Sequence, residues 1–103
     1  MEFMINDKAE FDAKIKEGKV LVDFFAVWCG PCSMLAPLVE KVGEEHPEIT
    51  VIKVDVDQAP EIASVYSIYS IPTLLLFENG ELKRKQVGYI PEPSLKRFLG
   101  INE

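Results

Sequence analysis

The 103-residue chain carries 17 acidic against 11 basic side chains, a net charge of −6 and a pI near 4.8. That balance repels phosphate backbones and anionic bilayers, so neither nucleic acid nor a membrane surface is an expected partner. With 48% of residues hydrophobic, residues 1–103 can form one domain whose core needs no metal or disulfide staple.

The N-terminal Met1-Glu2-Phe3-Met4-Ile5-Asn6-Asp7 has no basic start, long apolar segment or small-residue cleavage site. No secretory leader is expected from it, and the expected compartment is the cytoplasm. Asp7 with Glu10 three positions later can cap a helix running to Gly18, with Phe11 and Ile15 inward. Residues 20–27 are apolar at both parities except for Asp23, which suits a central strand covered on both faces. This run and residues 71–77 are the longest apolar stretches, and both fall far short of the roughly 20 residues needed to cross a bilayer.

A second helix is expected from Gly30 to about Glu44, with Pro31 in its first turn, Pro37 as a kink and Met34, Leu35, Leu38 and Val42 along its apolar stripe. Residues 50–56 alternate, placing Ile52, Val54 and Val56 on one face of a strand and Val51, Lys53 and Asp55 on the other. A short helix begins at Pro60, carries Ile62 and Val65 inward and stops before Ser67-Ile68-Tyr69-Ser70. Pro72 opens a third strand over residues 73–77. Asn79-Gly80 then predicts a tight hairpin to an antiparallel strand over residues 82–87, whose Lys83, Arg84 and Lys85 protect an open edge. Residues 93–99 form a last amphipathic helix stopped by Gly100. Strands alternating with helices before a terminal hairpin imply an α/β fold, a mixed sheet with helices on both faces.

The chemistry concentrates at Cys29-Gly30-Pro31-Cys32. Thiols at i and i+3 share one helix face and can close into a disulfide and reopen with little backbone movement. In a reducing compartment a merely structural bridge is out of place, and so short a loop would stabilise by only roughly 2 kcal/mol in the chain-entropy model. At a helix mouth the unpaired N–H groups favour the Cys29 thiolate, making it the nucleophile, while Cys32, one turn further in, keeps its proton and resolves the mixed disulfide. A structural zinc site would need four ligands, and the chain offers Cys29, Cys32 and a single histidine, His46.

Asp23 in a buried strand would have its pKa raised by desolvation, which suits a base that takes the Cys32 proton through a water; the alternative is an acid facing solvent at a strand end. Lys53 pairs with Asp23 if their strands are neighbours, or is a solvated strand-end lysine. Pro72 is strand punctuation unless its peptide bond is cis, which sequence does not reveal. Trp28 is either core or a flat contact surface.

Taken in order, Phe24-Phe25-Ala26-Val27-Trp28-Cys29-Gly30-Pro31-Cys32, Lys53-Val54-Asp55-Val56-Asp57, Ile71-Pro72-Thr73-Leu74-Leu75-Leu76-Phe77, Asn79-Gly80 and Val87-Gly88 closely resemble the thioredoxin family through nearly the whole chain. The resemblance implies the thioredoxin fold, a central mixed sheet flanked by four helices, and reduction of disulfides in client proteins. It implies Cys29 as attacking thiol and Cys32 as resolving thiol, Asp23 as the buried acid, Lys53 as its partner and Pro72 as a cis-proline facing the disulfide. Trp28, Gly30, Pro31, Ile71, Thr73 and Gly88 would join Pro72 in a shallow, mostly apolar client surface. The redox-active Cys29–Cys32 pair would serve without any added cofactor, recharged by a thioredoxin reductase, in a monomer. A disulfide oxidase or isomerase of the same fold, and a binding subunit without turnover, are the alternatives; Gly30-Pro31 matches reducing members. Ser33 stands where lysine or arginine is usual, Val27 where a polar residue is frequent, and Tyr69, Ser70 and Tyr89 could reshape the client surface.

Overall fold

The computed structural model describes residues 1–102. Five strands and four helices follow in the order β1 (Glu2–Met4), α1 (Lys8–Lys14), β2 (Lys19–Phe25), α2 (Gly30–Glu45), β3 (Ile49–Asp55), α3 (Pro60–Val65), β4 (Thr73–Glu78), β5 (Glu81–Val87) and α4 (Glu92–Leu99). The sheet order is β1-β3-β2-β4-β5. β2, the run apolar at both parities, is central. It pairs parallel with β3 and antiparallel with β4, so the sheet is mixed as its sequence pattern implies.

Strand alternation divides the interior in two. Val20, Val22, Phe24, Ile52, Val54, Leu75 and Phe77 meet Phe11 and Ile15 of the α1 region and Ile62 of α3 on one face. Leu21, Val51, Leu74 and Leu76 meet Leu35, Val39 and Val42 of α2 and Leu95, Phe98 and Leu99 of α4 on the other. Asp23 and Lys53 share the parity of Leu21 and Val51 and therefore lie on the α2 side.

Several boundaries follow local chemistry. The Asp7 carboxylate accepts the Glu10 N–H at 2.9 Å and starts α1. α1 ends at Lys14 rather than Gly18. Asn79 and Gly80 both have positive φ, as a two-residue hairpin of primed type requires. Gly100, at φ 75°, closes α4 while Ile101 N–H reaches back to the Lys96 carbonyl.

Other details depart from the sequence reading. Met34 and Val65 are exposed, while Val39 and Ala63 take the inward places on their helices. β1, for which Glu2-Phe3-Met4 gives little periodic signal, adds a short parallel strand beside β3. The bounds of α2, by contrast, are as expected: it runs from Gly30 to Glu45 with Pro37 inside it.

Candidate active site

Cys29 and Cys32 sit where β2 ends and α2 begins, and they are joined in a disulfide with Cα atoms 5.3 Å apart. Cys29 is the N-cap of α2, and its sulfur accepts the Cys32 backbone N–H at 3.2 Å. Pro31 takes an early helical position, where its missing N–H leaves no bond unmade. Cys29 and Cys32 are 6% and 4% exposed, so burial barely separates them; what separates them is the helix end, which belongs to Cys29.

The second element of the site arrives from the start of β4. The Ile71–Pro72 peptide is cis, and the Ile71 carbonyl oxygen lies 3.9 Å from Cys29 Sγ. Pro72 passes its own carbonyl to the Gly88 N–H at 2.8 Å, which ties the end of β5 to the same loop. Thr73 is buried and donates its hydroxyl to the Ser70 carbonyl at 2.6 Å, so it shapes the loop from within rather than facing solvent. Ile71 is half-buried against the cysteines, while Gly30 and Pro31 are exposed beside them.

Asp23 and Lys53 are register partners on β2 and β3, and Lys53 Nζ stands 3.5 Å from a carboxylate oxygen of Asp23. Asp23 is 1% exposed, and the Lys53 ammonium is the polar group facing it. Burial pushes its carboxyl up from the ordinary aspartate range, and the Lys53 ammonium opposes that only in part. Lys53 also lies 4.7 Å from the centre of the Phe25 ring. A shallow opening of about 230 Å³ is lined by Phe25, Ala26, Val27, Cys32, Ser33, Ala36 and Lys53. Through it the ammonium and the second cysteine share one solvent-accessible space.

Trp28 is 69% exposed, so it is not a core residue. Its indole N–H donates to Asp57 at 2.7 Å, and Asp57 N–H in turn donates to Asp55 at 3.0 Å. Sequence reasoning gave Asp57 no role. The available signal was chemical: an indole N–H beside the cysteines needs an acceptor, and the acids after β3 supply it.

His46 caps the C-terminus of α2, where its ring meets Glu48. Among the described residues no group of three or more His, Cys, Asp or Glu side chains could hold a metal ion. No helix among them is long and apolar enough to cross a membrane.

The family model described as Thioredoxin matches residues 2–100. A thioredoxin from Mycoplasmoides gallisepticum is 48% identical over 92% of this chain and 96% of its own, and one from Chlamydia trachomatis is 46% identical over 90% and 91%. Oxidised mitochondrial thioredoxin 3 from Saccharomyces cerevisiae superimposes with a TM-score of 0.88 at 32% identity, covering 95% of this chain and 92% of that one. A chain from a structure describing thiol resolution in yeast mitochondrial 1-Cys peroxiredoxin through glutathione/thioredoxin systems gives a TM-score of 0.89 at 31% identity, covering 95% and 92%. A bonded Cys-x-x-Cys pair at a helix N-terminus in such company is the site of a thiol-disulfide oxidoreductase, here a protein-disulfide reductase. From its sheet order, its cysteine-capped helix and its match over nearly every residue, the chain belongs to the thioredoxin family.

Proposed function

We propose that this protein-disulfide reductase runs its exchange with Cys29 as the attacking thiol and Cys32 as the resolving one. The observation that carries the assignment is the cap: the Cys32 N–H that bonds Cys29 Sγ, together with the positive end of α2, would hold a Cys29 thiolate in the same place. The thiolate attacks one sulfur of a client disulfide, forming a mixed disulfide and expelling the client's other sulfur as a thiolate. Cys32, deprotonated, then attacks Cys29 Sγ, closing the protein's own disulfide and releasing the second client thiolate. Two electrons pass from the protein to the client, and both client sulfurs end as thiols once protonated.

Asp23 is the base for Cys32. Its raised pKa makes it a stronger base than an ordinary aspartate, and the opening between Lys53 and Cys32 gives a water room to carry the proton. Lys53 positions the acid and limits how far burial raises it. Trp28, Gly30, Pro31, Ile71 and Gly88 meet the client, and the backbone beside Pro72 holds an extended client segment. Thr73 supports that backbone through Ser70.

The reaction uses no cofactor besides the cysteines, a thioredoxin reductase returns the electrons, and the domain works as a monomer in the cytoplasm. Disulfide-containing proteins are the client class, in keeping with the family and with the neighbour drawn from a peroxiredoxin study. Turnover of insulin with dithiothreitol as donor should vanish in Cys29→Ser. Cys32→Ser should accumulate covalent client adducts on non-reducing gels. Unchanged turnover in either variant refutes the assignment.

A further inference from the structure

We propose that the client surface is selective for charge and favours disulfides flanked by cationic and apolar residues over those flanked by acids; this rests on the reductase reading above. Four loops surround the disulfide, over residues 26–34, 54–60, 66–72 and 87–91, and none contains a lysine or arginine. Position 33, next to the resolving cysteine, is an exposed serine. Tyr69 is 89% exposed two residues before Ile71, and Tyr89 is exposed next to Gly88, which is bonded to Pro72. Val27 and Trp28 are exposed on the opposite side of Cys29. The rim is therefore aromatic and aliphatic, with faces open to a partner.

The charge on that rim is negative. Asp57, exposed, holds the Trp28 indole at the edge of the site, and Asp55 stands behind it, bonded to the Asp57 N–H. The cations that come near are paired or set back. Lys53 is paired with Asp23; Lys85, exposed and 3.5 Å from the Ser67 carbonyl, keeps its charge but stands on β5, behind the loop that carries Tyr69. Glu92, beyond Tyr89, is already paired with Lys41 and Lys96 and adds little. The whole chain carries a net charge of −6, which reinforces the local sign at long range. A lysine or arginine flanking a client cysteine would meet Asp57 and the faces of Trp28, Tyr69 and Tyr89, which attract cations. A glutamate there would meet the Asp57 carboxylate, with no lysine or arginine in the loops themselves to offset it. The occupant is thus an extended, disulfide-bearing client segment of basic and apolar character, continuous with the exchange site.

The test uses the full reduced chain and two disulfide-cyclised peptides identical except for lysines or glutamates flanking the first cysteine. The expected kcat/KM ratio favours the basic peptide roughly three- to tenfold at low salt and shrinks toward unity near 0.5 M salt. Asp57→Asn, which keeps an acceptor for the indole, should lower the ratio, and Ser33→Lys should lower it further. Tyr69→Ser should reduce kcat/KM with the basic peptide more than with the acidic one. Hydroxyethyl disulfide, small and uncharged, reports the exchange chemistry itself. If it is reduced normally while the two peptides react alike, or the acidic one faster, the charge selectivity is overturned and the reductase reading stands. If it is not reduced at all, the reductase reading falls with it.

Discussion

A carboxylate sealed in the centre of a sheet costs stability, and at Asp23, beside the Lys53 ammonium at 3.5 Å, that cost has a definite pH signature. Its folded pKa is raised above the unfolded value, so the folded state binds the proton more tightly. Stability therefore falls as pH climbs from the ordinary aspartate pKa to the raised one, and the loss is complete above it. Asp23→Asn removes the ionisation while keeping the shape, and Lys53 retains the Phe25 ring and some access to solvent. The variant should be more stable than the parent near neutral pH, with the advantage shrinking toward about pH 4; urea midpoints across that range check it. In activity the same variant should slow release from the mixed disulfide more than the initial attack, seen by stopped-flow with a client peptide. Equal slowing of both steps would count against Asp23 as the base. The acid was legible in the sequence because it interrupts an apolar strand, and its pairing with Lys53 was legible as a parity argument. Whether the two strands were neighbours was not, since adjacency in a parallel sheet is set by a crossover rather than by the residues themselves.

At the scale of elements, α2 both presents the cysteines and seals one face of the sheet. Leu35, Val39 and Val42 are its buried stripe, whereas Met34 is exposed although it lies in the same apolar segment. The one-residue difference follows from the helix period: a stripe read from sequence can be rotated by a position when apolar residues flank both sides of the true face. Leu35→Ala should cost about 2–5 kcal/mol by emptying a closed core, while Met34→Ala should stay within about 0.5 kcal/mol. Chemical denaturation of the two variants in the same redox state separates them, and comparable losses would place Met34 in the core after all. The same reasoning explains Val65, which the pattern turned inward and the short α3 leaves in solvent, with Ala63 beside Ile62 instead. Caps and turns, by contrast, were readable at Asp7, Asn79-Gly80 and Gly100, because each uses a specific side-chain acceptor or a positive φ.

For the molecule as a whole, a five-stranded open sheet leaves two edges, and the sequence treats them differently. β1 ends one side after three residues, too short to template another chain. β5 ends the other with seven residues, and nearly all of them are exposed. Its protection is its charge: Lys83, Arg84 and Lys85 follow one another along the strand. Arg84 is turned onto the last carbonyls of α4, donating to Arg97 and Phe98 at 3.1 and 3.3 Å, so it also fastens that helix to the sheet. Lys83, the extra residue at the register shift, lines the same opening as Arg84 and pairs with Glu81, while Lys85, register partner of Leu75, lies on the opposite face; both are exposed and disfavour a second β5 laid alongside the first. A bulge between Leu76 and Phe77 in the β4–β5 ladder adds local twist, which an incoming flat strand would have to match. Replacing Lys83 and Lys85 together with valine keeps strand propensity and removes both charges. Light scattering coupled to size exclusion should then show more concentration-dependent self-association than the parent gives at equal concentration, with folding stability changed by less than about 1 kcal/mol. A double variant that associates no more than the parent up to millimolar concentration would show that twist and strand length, rather than the lysines, keep this edge unpaired.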